Sequence, residues 1–109
     1  MRNGIYRVWY QNTVGSGSAA VILADGRFIA CDRTHKFLGS YTESNDHFSA
    51  EVAISRHDLR ASRPEFPDLD IFHMLISGLS TGETIAARCT YREQPGVSLD
   101  VKLVWCSEI

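Results

Sequence analysis

From Ile5 to Cys106 apolar and polar residues alternate with a period of two, and turn-forming dipeptides break the alternation roughly every ten residues. Side chains of a strand point to opposite faces in turn, so this period predicts strands with one face buried. No segment carries a helical period over a useful length. The chain therefore reads as all-β.

Eight runs are predicted as strands: Gly4 to Tyr10, Ala19 to Ala24, Arg27 to Cys31, His35 to Thr42, Phe48 to Ser55, Asp70 to Gly78, Glu83 to Arg92 and Val97 to Cys106. Asp25-Gly26 between apolar residues is a strong hairpin signal, because a type I′ turn needs positive φ at both central positions. Glu43-Ser44-Asn45-Asp46 reads as a polar turn, Thr81-Gly82 as another, and Gln94-Pro95-Gly96 as a type II turn. Gly15-Ser16-Gly17-Ser18 reads as a mobile hairpin loop, since a phosphate cradle needs a lysine and a following helix. Gly39, inside the fourth run, marks a bulge or a bend. His57 to Leu69, with Pro64 and Pro67, is the one long connection, expected to cross or cap an end of the fold.

Eight short strands joined mainly by tight turns predict an eight-stranded antiparallel up-and-down β-barrel, a single domain over residues 1–109. Such a barrel holds its own side chains or at most one small ligand. Trp9, Phe28, Phe48, Leu103 and Trp105 are expected to fill the interior nearly completely. The sixth run breaks the clean alternation, with Phe72, Met74 and Ile76 on one face and Ile71, His73 and Leu75 on the other. One apolar face must point away from the core, and Ile71, His73 and Leu75 are the expected surface of a homodimer.

Composition changes this picture little. Hydrophobic content of 44% and charged content of 22% are ordinary for a globular chain, and a net charge of −2 gives no reason to expect nucleic acid. The basic concentration Arg56, His57, Arg60 and Arg63 is followed at once by Glu65, Asp68 and Asp70, which reads as a mixed-sign solvated loop. Cys31, Cys89 and Cys106 form no CxxC and are odd in number, so buried, reduced thiols are expected. The N-terminal residues lack the apolar stretch of a signal peptide and no long apolar run follows, so a cytoplasmic location without membrane contact is expected.

Candidate chemistry is sparse. His35, His47, His57 and His73 follow no metal-ligand spacing, and His47 and His57 flank opposite ends of the fifth run. Gly15-Ser16-Gly17 lacks the strand-to-helix context of a nucleophile elbow, and no cysteine has an evident activating base. Asp68 and Asp70 make a spaced carboxylate pair that reads as a solvated loop end. No metal, cofactor or catalysis is expected.

An ordered set of short matches covers nearly the whole chain: Gly4-Ile5-Tyr6 opening the first strand, a Gly-rich loop and then AVILADGRF, and Leu38-Gly39-Ser40-Tyr41 before an acidic turn. Arg56-His57 leading to a proline-containing loop extends it. Together these residues resemble the GrlR-type proteins, regulators of type III secretion genes. The resemblance implies a lipocalin-like (calycin-like) eight-stranded barrel, dimeric and without catalysis, that inhibits a helix-turn-helix transcriptional activator by binding it. It also implies a partner-binding loop of alternating acids. The matching stretch is Glu43, Ser44, Asn45 and Asp46, which keeps the outer two acids only. Rim charges set on-rate and partner choice, so a changed loop points to a changed partner. The alternative reading is a calycin-like barrel binding a small apolar ligand, oriented by Arg7 or His73 at its mouth.

Overall fold

The computed structural model describes residues 1–11, 16–63 and 66–109. Among them eight strands form in sequence: β1 (Gly4–Gln11), β2 (Ser16–Ala24), β3 (Arg27–Cys31), β4 (His35–Ser44), β5 (His47–Arg56), β6 (Ile71–Thr81), β7 (Thr84–Tyr91) and β8 (Gln94–Ser107). Each pairs antiparallel with the next, and β8 returns to β1, giving a closed up-and-down barrel; β2 meets β3 over residues 22–24 only, so its residues 16–21 pair with β1 alone.

Local chemistry accounts for most of the turns. Asp25 (φ 52°) and Gly26 (φ 79°) make the expected hairpin, and Asn45 (φ 52°) and Asp46 (φ 64°) make a second of the same left-handed kind. Glu43 and Ser44 already belong to β4, so the polar turn is two residues rather than four. The turn after β7 falls at Arg92-Glu93, not at Gln94-Pro95-Gly96, which open β8. The β7–β8 register slips between Thr90 and Tyr91, and this irregularity accommodates Pro95, which has no N–H for a ladder. Of the predicted Gly-Ser loop, Gly15 lies outside the described residues, whereas Ser16, Gly17 and Ser18 are already strand. Gly39 sits at no register shift; a Cβ there would meet the Glu51 carbonyl oxygen at 2.1 Å. It marks a close approach of β4 to β5 instead of a bulge.

The core is the inward face of every strand. Phe48, Ala50, Val52 and Ile54 alternate in along β5, Phe72, Met74 and Ile76 along β6, and Leu99 and Leu103 along β8, joined by Tyr6, Val21, Leu23, Phe28, Ile85, Cys89 and Tyr91. Phe28, Phe48 and Leu103 occupy the predicted interior, and Trp105 packs half-buried against it at the lower end. Trp9 does not. It is 41% exposed on the outer wall, because the inward positions of β1 are Gly4, Tyr6, Val8 and Tyr10. A strand's parity is all-or-none, so burying Tyr6 and Tyr10 necessarily expels Trp9.

The long connection caps the upper end, as expected. Phe66 inserts among His35 (ring centroids 5.1 Å apart), Phe72 (5.6 Å) and Phe37 (5.9 Å). Pro67 is buried, and Pro64 lies outside the described residues. The basic residues before it are not simply solvated. Arg56 donates to the Ala61 carbonyl at 2.6 Å and reaches Asp68 and Asp70 at 3.0 and 2.9 Å, with its side chain 11% exposed. Asp68 and Asp70 thus hold the crossover down as counter-ions.

Candidate functional site on the outer face of the barrel

The interior leaves little room for a ligand. Its cavity is about 60 Å³, lined mainly by apolar side chains such as Val8, Phe28, Met74, Ile76 and Leu103. Ligand sites commonly span roughly 300–1,000 Å³, several times more. At the upper mouth the Arg63 guanidinium pairs with Asp32, hydrogen-bonds the Tyr10 hydroxyl and lies 4.6 Å from the Phe66 ring centroid. Asp32 Oδ1 accepts from the backbone N–H groups of Thr34 (2.9 Å) and His35 (2.8 Å). Burial pushes the Asp32 carboxyl up, but those hydrogen bonds and the Arg63 charge bring it below its ordinary range. His35, 2% exposed among aromatic rings, is driven down chiefly by that burial and stays neutral. These groups close the barrel. Arg7 and His73, expected at the mouth, both lie on the outer wall, where Arg7 stacks on Trp9 and His73 Nδ1 sits 2.7 Å from Glu93.

The predicted partner loop is exposed at all four residues, but its two acids differ in parity and partners. Glu43 shares the inward parity of Tyr41 on β4 and pairs across the ladder with the buried Phe48. Its carboxylate accepts from the Ser80 hydroxyl and lies 3.2 Å from the Met1 ammonium. The Ser80 hydrogen bond first, then that ammonium, hold it below the usual carboxylate range, and its side chain is 24% exposed. Ser44, Asn45 and Asp46 are exposed. The Asp46 carbonyl accepts from the Ser80 N–H at 2.8 Å, so the turn is fastened to β6. Of the two acids, only Asp46 projects outward from this turn.

The outer face of β6 completes the site. Phe72, Met74 and Ile76 are buried, which leaves Ile71 (62% exposed), Leu75 (42%) and half-buried His73 facing out. Glu93 accepts from the His73 backbone N–H at 2.7 Å and from its ring, and these bonds lower the Glu93 carboxyl. The same face continues to Leu79, 62% exposed, which pairs with His47 beside the Asn45-Asp46 turn. Leu38 of β4, 46% exposed, pairs with Ala53, which in turn pairs with His73. The barrel therefore joins the acidic turn and the apolar strand, two features the sequence presents separately, into one surface. Leu38 and Leu79 are the members that sequence reading misses; extending the outward parity of β6 by two residue pairs beyond Leu75 would have reached Leu79.

The remaining singled-out residues are dispersed. His57 Nε2 lies 2.7 Å from the Asp32 carbonyl oxygen, and His47 Nε2 lies 3.3 Å from the Ser77 hydroxyl. Cys89 is buried and its thiol is pushed up to about 12 by that burial. Cys31 and Cys106, expected to be buried, are exposed, because they lie at strand ends with outward parity. No protein-family model matches the chain, and no curated protein matches it either. What fold and surface define is a closed eight-stranded antiparallel barrel with a nearly filled interior and an apolar outer face running into an acidic turn.

Proposed function

We propose that this barrel is a non-enzymatic, cytoplasmic regulatory protein that acts by binding another protein, in the manner of the GrlR-type proteins it resembles. The observation that carries the reading is the continuity of exposed Leu79 with the Asn45-Asp46 turn, over a barrel whose cavity is only about 60 Å³. With the interior nearly full, recognition belongs on the outer wall, and apolar residues rimmed by an acid suit a protein surface. Asp46 is the residue that meets a basic partner, such as a helix-turn-helix activator, while Glu43 holds the turn in place through Ser80. Ile71, His73 and Leu75, further up the same strand, form the homodimer contact.

The test is a pull-down from the native cytoplasm with the unaltered protein, Asp46→Ala and Leu79→Asp, each also run in analytical ultracentrifugation beside Leu75→Asp. The expected result is one partner lost by both Asp46→Ala and Leu79→Asp, and a dimer lost by Leu75→Asp alone. Recovery of the same partner by all variants would place function elsewhere. A small-molecule reading would need native mass spectrometry to find a carried compound, which a cavity of this volume argues against.

A further inference from the structure

Around the barrel from this surface, with β7 between β6 and β8, the upper outer wall of β1, β2 and β8 carries a shallow groove of about 550 Å³. Trp9, 41% exposed, lines it. Antiparallel pairing puts Ser18 beside Trp9 on one flank and Lys102 on the other. Two residues along β1 lies Gln11, flanked in the same way by Ser16 and Asp100. On the opposite side Arg7 holds the indole, its Cζ 5.0 Å from the ring centroid. Directly opposed side chains in a sheet sit roughly 5 Å apart and next-but-one residues roughly 7 Å apart. An aromatic plate is thus ringed at close range by an amide, hydroxyls, an ammonium and a carboxylate.

We propose that this groove binds a neutral oligosaccharide, with one sugar ring stacked on Trp9. A pyranose has an apolar C–H face, which an aromatic π-face accepts, and a rim of hydroxyls that each donate and accept. The rim of this groove supplies both kinds: Lys102 only donates, Asp100 only accepts, and Gln11, Ser16 and Ser18 do both. A phosphate-bearing ligand wants cations alone, and Asp100, although 3.2 Å from Arg88, remains 72% exposed in the groove to repel it. A purely apolar ligand would leave the polar rim unpaired. Trp9, Gln11, Asp100 and Lys102 stand on β1 and β8, each paired on both sides here, so most of the platform is in place before the ligand arrives, while Ser16 and Ser18 are held by β1 alone.

Maltotriose, cellotriose and triacetylchitotriose are titrated separately into the protein, following the indole N–H signals of Trp9 and Trp105 by NMR. At least one trisaccharide is expected to shift the Trp9 signal saturably while leaving Trp105, whose Nε1 donates to the Asn3 carbonyl at 3.2 Å, unmoved. By isothermal titration calorimetry, Trp9→Ala abolishes the binding while its Trp105 NMR signal stays unchanged, which certifies the fold, and Gln11→Ala weakens binding about fivefold, the worth of one hydrogen bond. No Trp9 shift from any of the three up to their solubility overturns the proposal. So does a salt-sensitive shift by octathymidylate in their place, which would make the groove a nucleic-acid platform.

Discussion

Single residues divide here by strand parity. Phe48 and Trp9 are both large aromatics on strands, yet one is fully buried and the other is 41% exposed. Phe48→Ala should lower the unfolding free energy by about 3–5 kcal/mol, the cost of emptying an aromatic site in a core. Trp9→Ala should change it by only about 1 kcal/mol, the span of strand preference and cross-strand contact on an outer wall. Urea titrations of the two variants check both figures. The cysteines provide a second contrast. Cys31 and Cys106 are exposed, while Cys89 is buried with its thiol pushed up to about 12. A thiol reagent such as dithionitrobenzoate should titrate those two in the native protein and reach Cys89 only in denaturant. Fast modification of Cys89 under native conditions would contradict its placement in β7. Phe48 was legible from the unbroken alternation of β5. Trp9 was not, because in GIYRVWY both faces carry aromatic or branched residues.

For the strands, the tightest constraint is how closely neighbours approach. A Cβ on Gly39 would sit 2.1 Å from the Glu51 carbonyl oxygen, and one on Gly78 would sit 2.1 Å from that of Ala86. Backbone cannot step aside as a flexible side chain can, so Gly39→Ala or Gly78→Ala should cost about 1–3 kcal/mol or more. Gly82, by contrast, has open space around its Cβ position, and Gly82→Ala meets only the strain of its φ of +66°. Ranking the three variants by thermal midpoint tests this order, with the Gly82 variant the most stable. Strand existence was legible throughout, since every run is a short stretch with β-branched or aromatic residues bounded by turn residues, even where alternation fails. The turn after β7 was misplaced because Pro95-Gly96 is a strong local turn signal, whereas the actual turn is held by distant groups. The Arg92 N–H donates to the His73 carbonyl at 2.9 Å, and Glu93 accepts from the His73 N–H.

At the scale of the whole molecule, the upper cap makes stability depend on pH. His35 titrates below its ordinary 6.5 in the folded chain, chiefly because burial disfavours its cation; nearby Arg63, Arg56 and His57 add to this and Asp32 opposes it. A depressed value means that His35 costs folding nothing above about pH 6.5, where both states hold it neutral. Below that the unfolded chain binds a proton first, and stability falls at up to about 1.4 kcal/mol per pH unit until the folded group titrates. Asp32, also depressed, adds its own loss only as pH drops below its ordinary 3.8. Chemical denaturation between pH 8 and 5 (a range of roughly three units about the histidine value) should show the first fall, and His35→Phe should flatten it. A slope unchanged by that variant would assign the effect to another group. From the sequence alone came the all-β class, the eight strands, most inward faces and the role of the long connection as a cap, because period-two patterning and turn chemistry are local properties. Closure was inferable only as the arrangement that removes edges. Which acid of the turn faces out, that Leu79 extends the β6 face to that turn, and that Trp9 stands on a polar-rimmed groove were decided by the tertiary structure. Those facts follow from register between strands distant in sequence, and register is settled by packing the whole barrel at once.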